Sequence, residues 1–205
     1  MRKTLRNLFI IILLVLSFSC SSQFATTEMK NHFSTEQIAD LNKITEFFKS
    51  QICTNASTDF QTCFDNLPNL VKNGYSPILE RLDFNSQNEL YKSISKKTFN
   101  EIWMFCQTKN YQTKSEYESL CAAGYGKKYA NYLTEIGKKN KSVAEYADRL
   151  IKSGDFEFTL YFPQQIYKNK KDFDLKDSNI QVLLAIHFLS INDQESRNMA
   201  EFKKE

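Results

Sequence analysis

Apolar residues recur along most of this chain at helical spacing. The stretch "STEQIADLNKITEFFKSQIC", from Ser34, sets Ile38, Leu41, Ile44, Thr45, Phe48 and Ile52 at three- and four-residue steps, which predicts an amphipathic helix. Ser34 and Gln37 at its head have the spacing of a capping box, in which each side chain satisfies a free amide of the first turn. Further helices are predicted at Ser57–Lys72, Pro77–Leu82, Ser86–Ser95, Thr98–Thr108, Ser115–Ala123 and Tyr125–Lys138. Pro68, which has no amide hydrogen, should end or kink the first of these, and Gly124 separates the last two. In "KSVAEYADRLIKSG" Ser142 is the expected N-cap, Val143, Tyr146, Ala147 and Leu150 form the buried stripe, and Gly154 suits a left-handed C-terminal position.

The densest apolar run lies near the C-terminal end. From Ile180 to Ile191 only Gln181, His187 and Ser190 are polar, and a helix apolar nearly all round belongs inside a domain. In "FEFTLYF" Phe156, Phe158, Leu160 and Phe162 alternate as in a strand, but a single strand cannot stand alone. It is read as a helical or extended segment packed on the core. Glycine, a common turn and hairpin residue, and proline are scarce, at five and three residues, which argues against all-β architecture. The expected fold is all-α: one compact multi-helix domain over residues 34–205 with a buried C-terminal helix, preceded by a tether at residues 20–33.

The first residues have a different pattern. Arg2, Lys3 and Arg6 precede an unbroken apolar run from Leu8 to Leu16, followed by Ser17, Phe18, Ser19 and Cys20. This run is well short of the roughly 20 apolar residues a spanning helix needs, and it reads as a secretory signal over residues 1–19. "SFSC" resembles the lipobox of bacterial lipoproteins, which implies cleavage before Cys20 and a lipid on its sulfur, with the membrane as partner. Ser17 and Ser19 also suit the ordinary small-x-small cut of a secreted protein. Cysteine parity separates the two. Of five cysteines, lipidation of Cys20 leaves Cys53, Cys63, Cys106 and Cys121, an even set for an oxidising compartment. Ser21 after the cysteine resembles an outer-membrane sorting signal, which implies a lipid-anchored protein of the bacterial cell envelope.

Local disulfides, Cys53 with Cys63 and Cys106 with Cys121, are the expected pairing of the three that four cysteines allow. A zinc site brings its ligands in tight pairs two to four residues apart, which these cysteines do not. The two regions also look like a degenerate repeat, because Asp59-Phe60 before Cys63 echoes Glu116-Tyr117 before Cys121.

Charge and chemistry narrow the function. Removing residues 1–19 takes away three of 27 basic residues and no acid, leaving 24 against 24 acidic ones. A neutral domain has no long-range pull towards nucleic acid, so no nucleic-acid partner is expected. Of two histidines, His32 lies in the tether and His187 lies on the apolar helix, where a hydrogen-bonded core role is expected. Asp172, Asp174 and Asp177 suit calcium in type but fail the EF-hand pattern, having Lys176 and Asp177 at positions five and six. "GYGKK" lacks phosphate-loop spacing, Glu195-Ser196 lacks the glycine-rich stretch of lytic transglycosylases, and GxSxG is absent. No catalytic residue, metal ligand or cofactor is assigned.

The best surface candidate is Tyr125, Tyr129 and Tyr132, at i, i+4 and i+7 beside Lys127, Lys128 and Lys138. Tyrosine presents rigid area with a polar tip, suited to a protein partner or to stacking on sugars. The expected function is an envelope-anchored, non-enzymatic module that binds another envelope protein. The alternatives are a glycan- or small-ligand-binding lipoprotein, or a cell-wall-acting enzyme whose carboxylate site is assembled from distant residues.

Overall fold

A computed structural model describes residues 24–53, 59–68, 73–110, 112–156, 165–166, 169 and 171–203. Its elements are helices α1 (Thr27–His32), α2 (Thr35–Ile52), α3 (Phe60–Asp65), α4 (Ser76–Leu79), α5 (Phe84–Ser93) and α6 (Lys96–Ile102), strands β1 (Trp103–Lys109) and β2 (Glu116–Ala122), and helices α7 (Lys128–Gly137), α8 (Lys141–Ser153) and α9 (Ser178–Phe202). The protein is mostly helical but not all-α, because β1 and β2 pair antiparallel in a small two-stranded sheet. Residues 1–23, with the signal and Cys20, and most of "FEFTLYF" lie outside the described residues.

Where capping and periodicity agree in the sequence, the helices form as expected. Ser34 and Gln37 make the reciprocal capping box, and Ile38 lies half-buried beside the fully buried stripe of α2. Gly154 closes α8 at φ 69°, a conformation that costs glycine nothing. The N-cap of α8 is Asn140, whose Oδ1 accepts from Val143 N at 3.0 Å, and not Ser142, whose hydroxyl donates to Asp172 Oδ2 at 2.6 Å. Asp177 caps α9 by accepting from Asn179 N at 2.8 Å.

α9 is the axis of the molecule. Its apolar residues from Ile180 to Ile191 are all buried, and it packs against α2, β2, α4 and α5. Several polar groups inside this core are paired across elements, since a buried polar atom without a partner costs one to several kcal/mol. Trp103 Nε1 donates to Ser190 Oγ at 2.7 Å, and Gln87 bridges α5 to α9 by donating to Leu189 O at 2.8 Å and accepting from Asn192 Nδ2 at 2.8 Å.

Two expectations fail here for identifiable reasons. The helices expected at Thr98–Thr108 and Ser115–Ala123 are α6 followed by β1, and β2. The backbone turns extended at Trp103 (φ −127°, ψ 158°), where aromatic residues that favour strands begin. The segment expected to be tether contains α1, which is docked: Met29 and Phe33 are buried, and Thr26 donates to Asn179 Oδ1 at 2.7 Å.

Candidate functional site

The expected tyrosine stripe does not form. Gly124 and Gly126, at φ 91° and 80°, turn the chain before α7 begins, so Tyr125 stands outside the helix and is 88% exposed. Tyr129 and Tyr132 point the other way, into the core. Tyr132 Oη donates to Asn179 Oδ1 at 2.9 Å and its ring packs edge-on to Phe33 at 5.5 Å. Burial pushes both phenols above the usual tyrosine range. Lys128 is committed as well, its Nζ donating to Gln37 Oε1 at 2.9 Å.

His187 takes the core position expected of it. It is fully buried, with Tyr146 Oη 3.2 Å from its Nδ1 and the Tyr75 and Phe188 rings beside it, and burial brings its pKa down to about 3. The three aspartates have separate structural tasks: Asp172 accepts from Ser142, Asp174 accepts from Lys176 N at 2.9 Å, and Asp177 caps α9. Among the described residues no three His, Cys, Asp or Glu side chains come together as a metal site, and no helix is long and apolar enough to cross a membrane.

The disulfides are Cys53–Cys63 and Cys106–Cys121, with Cα–Cα separations of 5.6 and 6.0 Å. They brace different structures, so the apparent repeat is not one. Cys53 caps α2 and joins it to α3, whereas Cys106–Cys121 crosses diagonally between β1 and β2.

The hairpin is the feature that the sequence reading missed. Its register pairs Trp103 with Ala122 through to Lys109 with Glu116. Side chains alternate across a sheet, so Met104, Cys106 and Thr108 share one face with Tyr117, Ser119 and Cys121. The other face carries Trp103, Phe105 and Gln107 with Glu118, Leu120 and Ala122, and is pinned to α9. Arg197 does the pinning: its guanidinium lies 4.8 Å from the Phe105 ring centroid, 3.6 Å from Glu118 Oε1 and 2.5 Å from Asp193 Oδ1. Asp193 is fully buried, and burial holds its carboxyl above the usual range although Arg197 pulls the other way. Met104 and Phe105 remain 49% and 43% exposed, unusual for large apolar side chains adjacent on a braced strand.

On the disulfide side of the hairpin, a cleft of about 580 Å³ opens towards the turn at residues 153–155 and one side of α9. Asp155, Tyr117, Gln194, Glu195 and Asn198 line it. Desolvation raises the Asp155 and Glu195 carboxyls; Gln194 donates to Asp155 and partly offsets its shift. Tyr117 is raised by desolvation and by the nearby Glu195 and Asp155 charges. These groups could hydrogen-bond a polar solute, with each carboxyl keeping its proton to higher pH than usual. The signal for the hairpin lay in the strand-favouring aromatic residues Trp103, Phe105 and Tyr117, and no sequence signal placed Asp155 and Glu195 on one cleft.

No family model, curated protein or solved structure gives a significant match to this chain.

Proposed function

We propose that the chain is an exported lipoprotein of a bacterial cell envelope, anchored through Cys20, whose helical domain binds another envelope protein without catalysing a reaction. One observation carries the binding role: Met104 is presented half-exposed on the disulfide face of a hairpin that Cys106–Cys121 and Arg197 hold rigid. A rigid apolar anchor loses little entropy on docking, which is what interface hot spots share. Two disulfides in so small a domain suit an oxidising compartment, in keeping with the N-terminal export pattern.

The test is affinity purification of the tagged full-length chain from native envelopes, beside Cys20→Ser and Met104→Glu variants. A stoichiometric partner that survives mild detergent and is lost from Met104→Glu, at unchanged melting temperature, is the expected result. Intact mass should show Cys20 lipidated; an unmodified Cys20 would remove the anchor. A preparation with no partner would turn attention to the cleft, whose two carboxyls, Asp155 and Glu195, favour a second reading as a saccharide or other polar-ligand site. Such a ligand would raise the melting temperature of the wild type and not of Glu195→Gln.

A further inference from the structure

The hairpin has two edges, and among the described residues the chain itself covers only part of one of them. At the ends of the ladder Ala123 N donates to Ile102 O at 3.0 Å and Asn110 N donates to Ser115 O at 2.9 Å. Hydrogen-bonded pairs alternate along an antiparallel ladder, so Met104, Cys106 and Thr108 turn their backbone groups towards β2. Trp103, Phe105, Gln107 and Lys109 therefore turn theirs outward. The same alternation on β2 points Ala122, Leu120, Glu118 and Glu116 outward, and at the Leu120–Ala122 end the chain covers its own edge, whereas the two glutamates further along keep like charges on the rest of it. Ala122 N donates to Gly154 O at 3.1 Å, and Leu120 O accepts from Gln194 Nε2 at 2.7 Å.

On β1, Trp103 N is used in capping α6, donating to Phe99 O. The outward N–H and C=O groups of Phe105, Gln107 and Lys109 have no partner among the described residues. α9 reaches β1 through side chains, from Ser190, Arg197 and Asn198 to Trp103, Phe105 and Asn110, and takes none of these outward backbone groups. Such an edge is a template for one kind of occupant, another extended strand.

From this we infer that β1 pairs antiparallel with the β1 of a second copy of this chain, about a two-fold axis at Gln107, to make a four-stranded sheet. In this register Phe105 faces Lys109 of the second copy, Gln107 faces Gln107, and Lys109 faces Phe105. Every open donor and acceptor over these residues is then used, giving about six hydrogen bonds at two per facing pair. Charge selects the same register. The two lysines sit at opposite ends, each with its aliphatic stem and ammonium against an aromatic ring. Centring the axis on Lys109 would set like charges face to face, which costs stability. Centring it on Phe105 would pair Gln107 with Trp103, whose N–H is already used, and leave Lys109 open. The inference is independent of the partner proposed for Met104, because an added strand lies beside the hairpin and leaves its disulfide face open.

Gln107→Pro and Gln107→Lys test this without disturbing the fold. Residue 107 faces away from the ladder to β2, so proline removes only an outward donor, as edge strands tolerate, and lysine places like charges across the axis. The full chain in density-matched detergent should sediment as a dimer. Both variants should keep the wild-type melting temperature and dissociate roughly tenfold more readily or worse. A photo-crosslinker at Gln107 should link two copies at this strand. A wild-type monomer at every concentration would overturn the inference, as would a dimer indifferent to both variants. A Gln107 crosslink to a different protein, with the chain itself monomeric, would also overturn the second copy while leaving the envelope partner standing.

Discussion

His187 shows how far one residue can be read from its neighbours in sequence. Leu183, Leu184 and Ile191 around it indicated a core position, and the ring is fully buried against Tyr146 and Tyr75. Its folded pKa of about 3 lies below the ordinary histidine value of 6.5, so between those values the unfolded chain binds more protons than the native one. Stability is therefore full above the ordinary histidine range and drains as pH falls through it. The loss between about pH 7 and about pH 5 comes to roughly 2 kcal/mol from this group. Urea midpoints at the two pH values should show that loss in the wild type. His187→Gln should start less stable at neutral pH and fall less between the two. Equal slopes in both proteins would mean that the imidazole is not buried neutral. Tyr129 and Tyr132 were harder to place, because a helical stripe of tyrosines looks alike whether it faces solvent or core. Arg197 was legible only as an i,i+4 partner of Asp193: Phe105 and Glu118 join it only once β1, β2 and α9 have packed.

At the scale of elements, helices with a cap and a periodic stripe were legible and the hairpin was not. The approach to β1 carries Phe99 and Ile102 of α6 and then Trp103 at near-helical spacing, and β2 opens on an acidic-aromatic pair, both of which imitate helix. The turn between them has no glycine. Lys114 takes the positive φ, at 63°, and Asn110 Oδ1 accepts from the amides of Gln112 and Thr113 at 2.8 and 3.0 Å. Glycine scarcity therefore did not exclude a hairpin, because an asparagine side chain can hold a turn by itself. An isolated two-stranded ribbon is marginal in water, so this one depends on α9 and on Cys106–Cys121. Closing a loop of about 15 residues is worth about 3 kcal/mol in the chain-entropy model. The double variant Cys106→Ala and Cys121→Ala should lose about that much in denaturant unfolding. An unchanged midpoint would show that Arg197 and the packing on α9 suffice to hold the hairpin.

For the molecule as a whole, the order of elements was legible up to the point where the domain begins. Residues 27–33 lack the length for a convincing periodic stripe, so a tether was the natural reading. They are instead fixed by groups far along the chain. Thr26 and Glu28 reach Asn179, Asn31 and His32 reach Glu135, and Lys139 reaches Glu28. These are single polar contacts of modest worth, so the burial of Met29 and Phe33 decides the energetics. Each side chain is worth about 1.5–3 kcal/mol, or about 3–6 together, a large share of the roughly 5–15 kcal/mol that holds a domain folded. With the anchor proposed at Cys20, only six residues lie between the lipidated cysteine and Thr27, which confines the start of α1 to within about 25 Å of the membrane surface at full extension. A chain starting at Phe24 should match the mature protein in urea midpoint. One starting at Ser34 should lose several kcal/mol or fail to fold at all. If the two melted alike, Met29 and Phe33 would contribute no net stability, α1 would be an ornament on the domain, and the tether would be the longer one that the sequence pattern suggested.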